Sequence, residues 1–535
     1  MPSECPLCAP LNAPRVPPKC LAFERDGGQA VTCDDFRAAM ADANDSDAIR
    51  TAEFGRWYSQ AGTPTLTVVA AGRNSASGDY ELTLSQATEP TPGQPDKLPL
   101  LLPVAVGVLV STGADTSQAT ELQLRHKGTA EPFVNTLVLQ LTQPMQTFVL
   151  ELGSPAPSPA ETAGAKVEAA LPAADQRITL SVLRGWSAPV KLVYTAQDST
   201  DLAILMAHDS DGFNRYEAAS RFATKVLVTA AEELAKVPLA ERVSVPTPSF
   251  DAAYLAAWGS LFDAADTFAA AGEQHLHAKM LTLPTEVELL NEMSVYDAHA
   301  VHTAIAALRL QLAASRANEL LPAYRKARRV PPSDPYALTP IQEGRRALAA
   351  TLLSYAAAIE GALEAVASHY HEATNMTDAS SALGIIASMP CEAVRQRVLD
   401  DFEKKWKGNR DVMDTWFTVQ AVSSLPGAAS RLRMLMQHEA FSLTNPNKVR
   451  AVVGCLQLQA PSVLFTSDVL ELVGEIICAV DATNGNLAAS LCKMLQCWRK
   501  LPSPLQQQAK AVLERVQRRE GCSKNAGEVA ATALK

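Results

Sequence analysis

Between about Thr63 and Thr195 the chain alternates apolar and polar residues with a period of two, as in Tyr80-Glu81-Leu82-Thr83-Leu84, Leu137-Val138-Leu139-Gln140-Leu141 and Phe148-Val149-Leu150-Glu151-Leu152. Alternate side chains of a strand point to opposite faces, so this pattern predicts half-buried strands. Turns such as Pro90-Thr91-Pro92-Gly93 separate them, and together they predict a small antiparallel sandwich. From about Asp201 to the end the period changes. Ala- and Leu-rich helical segments are broken at Pro284, Pro390, Pro426, Gly427, Pro446, Pro461 and Pro502, which suits a curved stack of antiparallel helix pairs. Near the start, Thr32 is placed to cap a helix, Asp34 and Asp35 suit its positive end, and Phe36, Ala39 and Met40 fall at helical spacing.

Two stretches carry no such period. Residues 1–22 are Pro-rich and read as a disordered leader, and 154–175 is an Ala/Pro/Ser/Glu segment read as a flexible insertion in the sandwich. The longest apolar run, Leu98 to Val110, contains Pro99, Pro103 and Gly107 and is shorter than the ~20 residues a spanning helix needs, so no membrane span is expected.

Composition narrows the function classes. The 535 residues carry a net charge of −10 without a Lys/Arg block, so phosphate neutralisation has no evident surface and nucleic acid is not an expected partner. The opening Met1-Pro2-Ser3-Glu4 lacks a basic region followed by an apolar core, so the expected compartment is the cytoplasm. Cys455, Cys478, Cys492 and Cys497 sit in apolar helical patterns, as reduced thiols acting as small hydrophobes do.

Candidate chemistry is sparse. His371-Glu372 opens like a zinc-binding H-E-x-x-H helix, but position 375 is Asn and the second ligand is missing. His275/His277 and His299/His302 are pairs without a complementary Cys or Glu, and Cys5-x-x-Cys8 with Cys20 lacks a second C-x-x-C. Neither a G-x-S-x-G elbow nor a phosphate-binding loop occurs. These residues predict no metal and no catalytic residue in this chain.

Three phrases change the picture: His371-Glu372-Ala373-Thr374-Asn375-Met376-Thr377-Asp378, Val412-Met413-Asp414-Thr415-Trp416-Phe417-Thr418-Val419-Gln420-Ala421, and Asn445-Pro446-Asn447-Lys448-Val449-Arg450. With Gly28-Gln29-Ala30-Val31-Thr32-Cys33-Asp34-Asp35-Phe36, Arg56-Trp57-Tyr58-Ser59-Gln60-Ala61-Gly62-Thr63-Pro64 and Met206-Ala207-His208-Asp209-Ser210-Asp211, they resemble the C-terminal half of the bacterial-type alanyl aminopeptidases, the zinc exopeptidases of the aminopeptidase N family. The resemblance implies a mainly α fold with a small all-β domain: an Ig-like β-sandwich followed by a HEAT/armadillo-like helical superhelix. It divides the chain into a leader at 1–22, a helical remnant of the end of a catalytic domain at 23–62, the sandwich at 63–198 and the superhelix at 199–535. The helices from Thr32 to about Tyr58 are then expected to expose an apolar face.

In that family the superhelix closes a chamber that admits short peptides. The resemblance places Arg450, with Asn447 and Lys448, on its wall, where a guanidinium can pair with a peptide carboxylate. Departures from the family pattern at Ser467-Asp468-Val469-Leu470, and at Ser490 where relatives carry Arg, remove other channel groups. The family's Gly-Ala-Met-Glu-Asn strand and H-E-x-x-H helix do not occur in this sequence. The resulting expectation is a pseudopeptidase that binds a peptide or partner protein, with no cofactor of its own. The alternative is one half of a split or truncated aminopeptidase, active only with a catalytic half that supplies zinc.

Overall fold

The computed structural model describes residues 30–74, 77, 79–112, 116, 118–155, 176–244, 247–329 and 336–535. The leader at 1–22, the Cys5/Cys8/Cys20 group and nearly all of the 154–175 insertion lie outside these residues. The chain divides into two compact units, one ending at Ala218 and one from Ala219 to Lys535.

In the first unit, β1 (Pro64–Arg73), β2 (Tyr80–Thr88), β3 (Leu102–Thr112), β4 (Thr120–His126), β5 (Leu137–Leu141), β6 (Met145–Pro155), β7 (Gln176–Val182) and β8 (Lys191–Val193) form the all-β domain. Pairing runs β5-β3-β4-β6-β2-β1-β8, and β7 joins the other edge of β3. The period-two strands bury the side chains their pattern selects: Tyr80, Leu82 and Leu84 on β2, and Leu137, Leu139 and Leu141 on β5. One pairing departs from the antiparallel expectation, since β8 lies parallel to β1 with Leu66 opposite Leu192.

The apolar run that includes Pro103 and Gly107 is β3. It pairs with β5 and β4 along one edge and β7 along the other. Every residue from Val104 to Val110 is buried, Gly107 included, which explains a continuous rather than alternating apolar pattern.

The N-terminal helical segment belongs to this unit. Thr32 and Asp35 form the expected capping box, Thr32 Oγ1 accepting from the Asp35 amide at 3.2 Å and Asp35 Oδ2 accepting from the Thr32 amide at 2.8 Å. Helix Cys33–Asn44 buries Ala39 and Ala41, and helix Ala52–Ser59 docks on the strands, where Trp57 Nε1 donates to the Leu101 carbonyl at 3.1 Å. Val31, Phe36 and Tyr58 remain exposed.

Sandwich and following helices of the first unit are joined by a buried polar cluster. Arg184 is 2 % exposed. Its Nη2 donates to Asp209 Oδ1 at 2.8 Å, Nε to Ser181 Oγ at 3.0 Å, and Nη1 to Thr136 Oγ1 at 3.1 Å, to the Asn135 carbonyl and to Glu121. Space for the guanidinium exists because β3 has glycine there: a Cβ on Gly107 would stand 2.0 Å from Arg184 Cζ. The flanking chain turns sharply, with positive φ at Leu183, Gly185 and Trp186.

The second unit consists of helices. Trp258, fully buried, meets the Tyr355 ring edge-on at 5.0 Å, and Tyr355 donates its hydroxyl to the Leu281 carbonyl at 2.6 Å. Helix Pro340–Ala356 packs closely on helix Gln274–Leu281 at Gly344, where a Cβ would come within 2.8 Å of the His275 nitrogen.

Asp297 caps helix Ala298–Ser315 through the Ala300 amide and holds Arg242 in a bidentate pair at 3.0 and 2.6 Å. Burial alone would raise its pKa, but the Arg242 and Ala300 bonds prevail and hold the carboxyl below its ordinary range. A depressed folded pKa contributes stability above the unfolded value, which is lost as pH falls through the folded one. Asp297→Asn keeps an oxygen for the cap and loses the charge. Urea melts should show it destabilised by about 1–3 kcal/mol at neutral pH, and this difference should shrink as the pH falls below the ordinary carboxylate range. A pH-independent difference would refute the assignment.

Candidate functional site

The site expected at Asn447, Lys448 and Arg450 lies where one helix changes its winding. Asn445 caps the start by accepting from the Asn447 amide at 3.0 Å, and Pro446 takes the first turn, where its missing N–H costs nothing. After Pro446–Val449 the chain runs as a π-helical turn over Arg450–Gly454, with the Cys455 amide bonded to the Arg450 carbonyl at 2.8 Å, before α-helix resumes at Leu456–Gln459. Such turns are rare and recur at functional positions.

The turn sorts the candidates. Arg450 is exposed, and its Nη1 donates to Asn447 Oδ1 at 3.3 Å. It makes no ion pair with a carboxylate among the described residues. Asn447 is exposed beside it. Lys448 faces inward instead. It is 3 % exposed, its Nζ donates to Asp414 Oδ1 at 2.6 Å and to the Arg410 carbonyl at 2.9 Å, and it lies 5.3 Å from the Phe417 ring centre. The lysine therefore ties the Asn445–Arg450 phrase to the Val412–Ala421 phrase and, being buried, is not presented to a ligand at the surface.

The other family phrases are also held by internal bonds. Asn375, at the position where a zinc helix would need histidine, caps helix Met376–Ala387 by accepting from the Asp378 amide at 3.0 Å. Glu372 pairs with Arg328 at 2.8 Å and His371 is exposed. His369 is buried, bonded through Nδ1 to the Tyr324 hydroxyl at 2.9 Å, and its pKa is lowered, chiefly by burial. His275 is exposed, whereas His277 is buried, bonded to the Leu261 carbonyl at 2.7 Å and stacked on Phe268. Asp209 of the Met206–Asp211 phrase is the partner of Arg184, and Asp211 Oδ2 accepts from the Gly185 amide at 2.9 Å.

Among the described residues, no three or more His, Cys, Asp or Glu side chains are grouped to hold a metal ion. Every cysteine among them is free. Burial pushes the Cys455 and Cys492 thiols up to about 12, so they stay protonated and unreactive at neutral pH. No described helix is long and apolar enough to cross a membrane.

Comparison with known proteins agrees with this geometry. A family model described as a domain of unknown function, DUF3458, with an Ig-like fold matches residues 62–195, and its companion DUF3458_C, described as ARM repeats, matches 199–535. Aminopeptidase N of Escherichia coli is 33% identical over 511 residues, 94% of this chain and 52% of that protein. Aminopeptidase N of Caulobacter vibrioides is 32% identical, covering 99% of this chain and 54% of that protein, and that of Haemophilus influenzae is 28% identical over 96% and 53%. The chain thus spans about half the length of these relatives, as a C-terminal part. A crystal structure of Legionella pneumophila aminopeptidase A in complex with aspartic acid superposes with a TM-score of 0.68 over 97% of this chain and 54% of that one, at 22% identity, a likeness of fold. With the ARM-repeat model covering 199–535 and the Ig-like model the strands before it, the chain belongs to the DUF3458 family, the paired Ig-like and ARM-repeat domains of the aminopeptidase N C-terminal region.

Proposed function

We propose that this chain acts as a peptide- or protein-binding element of the aminopeptidase N type, cytoplasmic and without a catalytic zinc of its own, in which Arg450 and Asn447 recognise a carboxylate. The observation that carries the reading is the exposed Arg450 guanidinium, aimed by Asn447 and left without a carboxylate partner among the described residues. Helical arrays of stacked pairs offer extended surfaces on which such a group can meet a peptide. The absence of H-E-x-x-H from the sequence supports a non-catalytic role, and the net charge of −10 without a basic block argues against nucleic acid as the ligand.

A second reading is favoured by one observation. Val31, Phe36 and Tyr58 are exposed on and beside helices that otherwise pack into the first unit, as expected if a catalytic half covers them. In that case the zinc, which polarises the scissile carbonyl and activates water, belongs to the added half.

An alanyl-arylamide assay separates the readings. The purified chain alone is expected to show no turnover, with or without added zinc. Zinc-dependent turnover by the chain alone, abolished by chelator, would falsify the non-catalytic reading. Turnover appearing only when the chain is mixed with the N-terminal half of a relative would establish the second.

A further inference from the structure

Inside the second unit a cavity of ≈ 320 Å³ opens between three stretches of chain: the start of helix Ala298–Ser315, the turn Ser424–Ser430, and the segment from Ser462 to Asp468. His299 and His302 both line it. Their spacing of three residues puts the two imidazoles on one helix face, about 5–6 Å apart at Cβ.

Each ring has a hydrogen-bond partner. His302 Nδ1 lies 2.8 Å from Glu286 Oε1, and that carboxylate is itself fixed by Ser462, whose amide donates to Oε2 and whose hydroxyl donates to Oε1, both at 2.8 Å. His299 interacts with the Phe465 backbone carbonyl. An imidazole whose N–H is bound by a carboxylate or carbonyl has its tautomer set, with the lone pair on the other nitrogen, the arrangement that supports metal-binding histidines.

We infer that His299 and His302 form a two-histidine site for a borderline divalent transition-metal ion, with Glu286 as the group that orients His302. Nitrogen ligands select nickel, copper or zinc over calcium or magnesium. Among the described residues no third protein ligand is grouped with the pair, so solvent completes the coordination and the site is reversible rather than structural. Asp468 lines the same cavity and is exposed. Gly427, also in the lining, leads into helix Ala428–Met436 without a side-chain cap, and the helix's first amides favour an anionic or water oxygen as co-ligand.

The test is calorimetric titration of nickel(II) into the tag-free full chain at pH 7.5, repeated with His299→Gln, His302→Gln, Glu286→Gln and His275→Gln. Wild type and His275→Gln are expected to show the same saturable site, with at least tenfold weakening in each of His299→Gln and His302→Gln. Glu286→Gln should weaken it roughly tenfold, the lower end for loss of an orienting partner. Thermal unfolding of the variants confirms that they are folded, and cobalt(II) absorption should show nitrogen and oxygen ligands without a thiolate charge-transfer band. Absence of saturable nickel binding, affinity unchanged in the two histidine variants, or loss in only one of them overturns the paired site.

Discussion

Arg184→Ala is expected to destabilise the first unit by about 3–5 kcal/mol, because removing one partner of a buried ion pair leaves the other charge uncompensated. Asp209 is 2 % exposed and cannot turn to solvent, and Glu121 and the Asn135 carbonyl lose a donor at the same time. Burial already pushes the Asp209 carboxyl upward, while Arg184 and the Ser181 hydroxyl pull it down. Without the arginine the folded pKa rises further. A carboxyl whose folded pKa is raised adds no cost below its unfolded pKa, and its penalty grows as pH climbs from the unfolded value to the folded one. Denaturant midpoints for Arg184→Ala should therefore lie nearer to wild type at pH 5 than at pH 8.

Gly107→Ala sharpens the test. Its new methyl would meet the guanidinium at 2.0 Å from Cζ, so the single variant should also be strongly destabilised. In the double variant the obstacle is gone, and the two losses should be far from additive. Additive losses would mean that the glycine is required for another reason.

Most of the architecture could be read from the chain because it follows from period. Tyr80 to Leu84 and Leu137 to Leu141 alternate, and their apolar sides are the buried ones. The Thr32 cap was readable for a similar reason, being a local bond between residues three apart. The parallel pairing of β8 was not readable, since its short Lys191–Val193 segment carries no signal of direction. Arg184 was also hidden. A lone arginine after a strand reads as surface, and only the glycine within the apolar β3 run hinted that a side chain from elsewhere comes close.

Lys448 teaches the same lesson in the candidate site. Asn447, Lys448 and Arg450 look alike as polar residues of one phrase, but the side they face depends on winding. Asp414 and Phe417, more than thirty positions earlier, provide the acceptor and the ring that draw the lysine inward. The π-turn that begins at Arg450 cannot be inferred from composition, because Arg450 through Gly454 are residues an ordinary helix also accepts. Phrases that identified the family thus proved to be helix caps and ion pairs, as at Asn375, Asp209 and Lys448. Family likeness and periodicity point to the same fold, whereas the proposed recognition chemistry rests on the one cation of the phrase that remains exposed.

For that cation a direct outcome is expected. Arg450→Ala should weaken binding of short peptides with a free C-terminus roughly ten- to a hundredfold, as follows from a charge-assisted contact of about 1.5–3 kcal/mol. Arg450→Lys should recover only part of the loss, since a point charge cannot reproduce the planar fork. Asn447→Ala should cost less than Arg450→Ala, because it removes the 3.3 Å bond that orients the guanidinium but leaves the charge. Amidating the peptide C-terminus should weaken wild type and leave Arg450→Ala nearly unchanged, which assigns the lost energy to the carboxylate. Lys448→Ala behaves differently: it removes the partner of Asp414 from a buried site and should lower Tm before any effect on affinity is seen. Isothermal titration of a free-acid and an amidated peptide into wild type and all four variants, alongside thermal melts, measures both quantities. Equal affinity of wild type and Arg450→Ala for the free-acid peptide would remove Arg450 from recognition, and a fall in Tm without a fall in affinity would make it a structural residue.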